Sequence, residues 1–98
     1  MQYFKVKSLE LRKMSIISNI NEKIEVQALF NDNRIVPLLF NWRGRDHKVE
    51  RVTQVWEAPI GERKTRYFFA VTDGLNFFEL CFDTSDLSWS LCRVECEG

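Results

Sequence analysis

Ninety-eight residues leave room for one domain, 1–98, with a modest core. A composition of 45% hydrophobic and 29% charged residues is that of a globular chain and excludes a disordered one. Fourteen basic residues balance fourteen acidic ones, which excludes a chain-wide basic glove for nucleic acid.

No apolar run approaches the roughly 18 residues that a membrane helix needs, so no membrane partner is expected. Met1-Gln2-Tyr3-Phe4-Lys5 lacks the apolar stretch of a secretory signal, and the expected location is cytoplasmic.

In chain order, Phe4 and Val6 alternate with Lys5 and Lys7 as in a short strand, whereas Leu9, Ile16 and Ile20 fit one face of a helix. The reading is a short strand followed by an uncertain segment up to residue 23, where any helix, under a quarter of the chain, is expected. From residue 24 to 95 the pattern is β. Ile24, Val26, Ala28 and Phe30 fall on one face of a strand. The turn formers Asn31-Asp32-Asn33 follow. A second strand places Val36, Leu38, Phe40 and Trp42 on one face, with Pro37 requiring an edge or a bulge. Gly44 reads as a bulge or bend. His47 to Trp56, with Val49, Val52 and Val55, reads as a bent strand, and Ala58-Pro59-Ile60-Gly61-Glu62 as a loop.

Alternation returns at Thr65–Thr72, where Tyr67, Phe69 and Val71 oppose Arg66, Phe68 and Ala70. Asp73-Gly74 is a turn signal. Phe78, Leu80 and Phe82 share a face, Asp83–Asp86 turns again, and Ser88–Glu95 closes with Trp89, Leu91 and Val94. The spacing predicts a mainly β fold, an antiparallel meander rolled into a small SH3-like barrel or a strongly bent sheet. Phe40, Phe69, Phe78, Leu80 and Trp89 form its expected core.

Charge is uneven. Residues 34–66 carry eight basic and four acidic side chains, and residues 67–98 one basic and six acidic. Such asymmetry either steers a partner or pairs strands within the fold, and both remain open.

Residues 37–56 read Pro37-x-x-Phe40-x-Trp42-Arg43-Gly44-Arg45-x-His47-x-Val49-x-x-Val52-x-x-x-Trp56, followed by Phe68 and Val71, Phe78-Glu79-Leu80 and Trp89-x-Leu91-x-Arg93-Val94. Over residues 24–95 this resembles a family of small, uncharacterised bacterial β-rich domains with a Trp-Arg-Gly-Arg element. They stand alone or lie near Y-family, error-prone DNA polymerases. The resemblance implies a role accessory to DNA repair and damage tolerance. It supplies neither a reaction nor binding residues. The chain departs from the pattern in carrying His47 where the family has Tyr.

Candidate binding residues are Trp42, Arg43, Arg45, Lys48 and Arg51. Arg43 and Arg45, two apart, would share one face of a strand opposite Phe40 and Trp42, and arginine forks beside an exposed ring suit phosphates and bases. The competing reading puts Trp42 in the core and both arginines against acids of the C-terminal third. His47 is the single histidine, and nothing near it marks a nucleophile or an orienting acid, so no catalytic residue is assigned. Cys92 and Cys96 would lie about 13 Å apart on a strand. With Cys81 they form no zinc spacing or disulfide framework, so reduced thiols without metal or cofactor are expected. The expectation is a non-catalytic interaction module with a protein partner. Weak nucleic-acid binding through Arg43 and Arg45 comes second, a small enzyme is a remote third, and self-association through a strand edge is a further option.

Overall fold

The computed structural model describes residues 15–97. They form seven strands: β1 (Ser15–Asn31), β2 (Arg34–Trp42), β3 (Arg45–Lys48), β4 (Arg51–Gly61), β5 (Lys64–Thr72), β6 (Phe77–Asp83) and β7 (Ser88–Glu97). The strand suggested by Phe4 and Val6 lies outside the described residues. Ile16 and Ile20, which also fitted a helix, are in β1. No helix of the described residues is long and apolar enough to cross a membrane.

All neighbours are antiparallel, in the order β3-β2-β1-β7-β6-β5-β4. The two outermost strands of this order, β3 and β4, are consecutive in the chain and separated only by Val49 and Glu50. Six strand spacings in a flat sheet amount to about 29 Å. The three steps from Lys48 across Val49 and Glu50 to Arg51 reach only about 11 Å. The sheet must therefore curl until its edges meet at this crossing. Two backbone bonds fix it: Val49 N–H donates to Leu38 O at 2.9 Å, continuing the β2–β3 pairing, and Glu50 N–H donates to Thr72 O at 2.8 Å, continuing β4–β5. β3 and β4 share no ladder, so the result is a curled sheet and not a closed barrel.

Curling puts one face inside. Register aligns Val71, Phe78 and Val94 across β5, β6 and β7, then Phe69, Leu80 and Leu91, then Tyr67, Phe82 and Trp89 with Ile24 of β1. Phe40 from β2 joins them, meeting Phe78 edge to face at 5.0 Å. The five expected core residues are all buried.

Three expectations for individual segments are corrected. Leu38 is the extra residue of a bulge, because Gln27 pairs with Leu39 while Ala28 pairs with Pro37. The inward series is therefore Ile35, Pro37, Phe40 and Trp42, and Leu38 turns out to solvent. Pro37 lies against the bulge, where its missing N–H is tolerated. Ala58–Gly61 is not a loop but the end of β4, with Pro59 paired to Thr65; the outer edge of β4 is unpaired, so a proline is accommodated. The stretch from His47 to Trp56 is not one bent strand but two, broken at the crossing.

Phe78 packs against both Phe40 and the His47 ring. Phe78→Ala should lower unfolding stability by about 3–5 kcal/mol. A loss under about 1 kcal/mol in urea unfolding would contradict this packing.

Candidate binding surface

The Trp-Arg-Gly-Arg element is the hairpin between β2 and β3. Arg43 has φ 54° and Gly44 φ 80°, so both central residues of a two-residue turn are left-handed, as a type I′ hairpin requires. The reversal falls inside the motif, and Trp42 is the register partner of Arg45. The arginines therefore do not sit together on a strand face opposite Trp42. Arg43 folds back over the indole, its guanidinium carbon 4.8 Å from the ring centre. Its Nη2 donates to Glu22 Oε2 at 2.6 Å, and Trp42 Nε1 donates to Glu22 Oε1 at 3.0 Å. These donors, Arg43 first and then Trp42, hold the Glu22 carboxyl below its usual range. The acid belongs to β1, not to the C-terminal third. Arg45 is exposed and has no ion-pair partner among the described residues.

Lys48 pairs with Leu39, one register step from the His47–Phe40 pair, so it faces the opposite side of β3 from Arg45. Arg51 opens β4 on the other edge of the sheet, beside Thr72. Asp46 shares the Lys48 side and Glu50 stands between Lys48 and Arg51. Of the five candidate residues, the structure gathers only Trp42, Arg43 and Arg45.

His47 has an orienting acid after all. Its ring stacks on Phe40 at 4.9 Å and 12°, and its Nδ1 lies 3.2 Å from Asp73 Oδ2. Asp73 is 26 residues away, in the turn between β5 and β6, which is why local sequence gave no sign of it. Burial opposes ionisation of Asp73. The N–H groups of Asn76 and Leu75 and then His47 outweigh it, and its carboxyl lies below the usual range. A cleft of about 470 Å³ brings His47 together with Trp42, Arg45, Ser18 and Cys96. No Ser, Thr or Cys side chain is hydrogen-bonded to His47 among the described residues. The His47–Asp73 pair clamps β3 to the β5–β6 turn. No group of three His, Cys, Asp or Glu residues is placed to hold a metal among the described residues.

A second cleft, of about 410 Å³, opens where the sheet fails to close. Ile35 and Val36 of β2 form one side, Val52 and Val55 of β4 the other, and Tyr67 and Phe69 of β5 the floor. Arg34 and Glu57 stand among its lining residues as the charged groups. Both flanking strands offer unpaired backbone: β3 pairs with β2 only from Leu39 onward, leaving residues 34–37 with one open edge, and β4 has no neighbour beyond β5. Val55 is 55% exposed and Phe30, at the adjoining end of β1, 60%. The sequence concealed this cleft because its walls come from strands at opposite ends of the sheet order.

No family model, curated protein or solved structure matches the chain.

Acid should unfold the protein through its hydrogen-bonded aspartates. Asp83 is held down to about 2, first by the Ser85 hydroxyl, then by the Ser85 N–H, with burial opposing and Arg66 assisting. A carboxyl depressed in the folded state is protonated first in the unfolded chain, so its stabilisation is present above the ordinary value of 3.8 and is lost as pH falls toward about 2. Urea midpoints should decline through that window and decline less for Asp83→Asn. A midpoint that is flat with pH would contradict the assignment.

Proposed function

We propose that the chain is a non-catalytic interaction module that receives an extended, apolar segment of a partner protein between β2 and β4. The observation that carries this reading is the apolar cleft bounded by two unpaired strand edges. An extended segment satisfies such edges with its own backbone, while alternate side chains enter the apolar floor over Tyr67 and Phe69. Exposed Phe30 and Val55 are the apolar surface that a monomer gains by covering. In this reading the fold is an SH3-like barrel left open at its binding slot. The likeness of residues 37–56 to the Trp-Arg-Gly-Arg domains favours a partner in DNA damage tolerance, met in the cytoplasm.

The basic residues support a nucleic-acid role less well. Arg43 is committed to Glu22, Lys48 faces away from Arg45, and acids stand among them. Phosphate contacts need cations on one surface. Duplex and single-stranded DNA at about 50 mM salt should show no binding that Arg43→Ala with Arg45→Ala abolishes. Binding lost in that double variant, with its melting curve unchanged, would favour the nucleic-acid reading instead.

A direct test selects displayed random peptides of about ten residues, long enough to run along one strand edge. Enriched sequences should alternate apolar and polar residues. Val55→Asp should weaken them at least about tenfold, or ~1.4 kcal/mol, without lowering the melting temperature, since Val55 is exposed. The proposal fails if no peptide is enriched, or if Val55→Asp leaves binding unchanged. Sedimentation of a dimer that Val55→Asp dissociates would mean that a second copy of the chain occupies the slot.

A further inference from the structure

The outer face of the sheet holds a feature that neither the core nor the cleft accounts for. Cys81 lies on β6 opposite Ser90 of β7. Cys92 lies two residues beyond Ser90, and in a regular ladder it would be a distant diagonal neighbour of Cys81, about 7–8 Å between Cα atoms. The ladder is not regular here. Glu79 pairs with Arg93 and Leu80 with Leu91, so Cys92 is the extra residue of a bulge. Two consequences follow. Leu91 and Val94 both remain buried on the inner face, which leaves Cys92 together with Arg93 on the outer face, where Cys81 also points. The extra residue also shortens the step along the strand from Cys81 to Cys92.

Both thiols line one outer-face cavity of about 220 Å³, together with Arg66, Asp83, Ser90 and Lys23. Arg66 donates from Nη2 to Asp83 Oδ2 at 3.2 Å, while its buried Nε–H has no hydrogen-bond partner among the described residues. Cys96 is on the other side of the sheet, packed against the core beside the Trp42 cleft.

We propose that Cys81 and Cys92 are a covalent modification site, a dithiol that a small hydroperoxide oxidises to a disulfide between β6 and β7. The Cys81 thiolate attacks one peroxide oxygen, the O–O bond breaks, and hydroxide leaves with a proton as water. Cys81 is then a sulfenic acid. The Cys92 sulfur attacks it, the S–O bond breaks, the S–S bond forms, and the Cys92 proton leaves with the hydroxide as a second water. The sulfurs lose two electrons and the peroxide oxygens gain them.

The cavity divides the roles. The Cys92 thiol, hydrogen-bonded to Cys81, lowers the Cys81 pKa; burial opposes this, Arg66 adds to it, and Asp83 and Glu79 oppose it. The same contact pushes Cys92 up. Cys81 is the readier of the two to ionise and is the attacker, and Cys92 is the thiol that resolves it. Arg66, whose Nε–H has no partner among the described residues, lines the same cavity as both thiols. Hydrogen peroxide, a molecule little larger than water, fits the cavity although Cys81 itself is 4% exposed.

Tryptic digestion reads the outcome cleanly. Residues 67–93 contain neither lysine nor arginine before Arg93, so one peptide carries both Cys81 and Cys92, and Cys96 falls in the next. After treatment of the folded chain with hydrogen peroxide and alkylation of the remaining thiols, the 67–93 peptide should be two hydrogens lighter than its reduced form and unalkylated. Cys96 should be alkylated. Cys96→Ser should behave identically. Cys92→Ser should gain oxygen on the same peptide and lose no hydrogens. Arg66→Ala should slow the reaction at neutral pH several-fold. Three alkylated cysteines after oxidation, a bridge that includes Cys96, or a bridge only between molecules would overturn the proposal. An unchanged rate in Arg66→Ala would overturn the role given to that residue.

Discussion

The constraint on which the structure depends is the two-residue crossing at Val49 and Glu50. It joins strands at the two ends of a seven-strand order, and a chain that short permits only a curled sheet. The curl makes an inside, and the inside makes the aromatic core of Phe40, Phe69, Phe78 and Trp89. Neighbouring groups brace the crossing. His47 bonds Asp73 from one side, and a Cβ at Gly74 would come within 3.2 Å of the Glu50 carboxylate on the other, where φ is 98°. The cleft is the complement of this arrangement: edges that meet at the crossing and part beyond it leave a slot between β2 and β4.

Period-two alternation made the C-terminal half readable. Tyr67, Phe69 and Val71, then Phe78, Leu80 and Phe82, are inward as their spacing implies, because regular ladders join β5 and β6. Reading failed where an extra residue breaks the period. One bulge at Leu38 moved the inward face from Val36 to Ile35, and another at Cys92 brought two thiols together that simple spacing keeps apart. The Trp-Arg-Gly-Arg element misled for a related reason. Its arginines were counted along a strand, but Arg43 is in a turn, and left-handed φ at a non-glycine residue leaves no mark in composition. The His47–Asp73 pair and the cleft were out of reach of local pattern, since each joins residues that only the crossing makes neighbours.

The uneven charge of the sequence is partly internal pairing. Arg66 of the basic middle segment meets Asp83 of the acidic C-terminal one, and Lys23 meets Asp86. Arg93, the one cation of the last third, meets Glu79 on the adjacent strand. These contacts are exposed or half-exposed, and exposed pairs contribute about 0–1 kcal/mol each. Their importance is positional, since they hold the outer-face side chains around the two thiols while leaving the slot between β2 and β4 with an apolar floor.

Amide hydrogen exchange at Val49 and Glu50 tests the crossing most directly. If the curl depends on it, these two amides open only with the whole fold, and their exchange free energies match that of Leu80 in β6. Exchange of Val49 and Glu50 at nearly unprotected rates, with Leu80 still fully protected, would mean that the crossing is a loose connection and that something else curls the sheet.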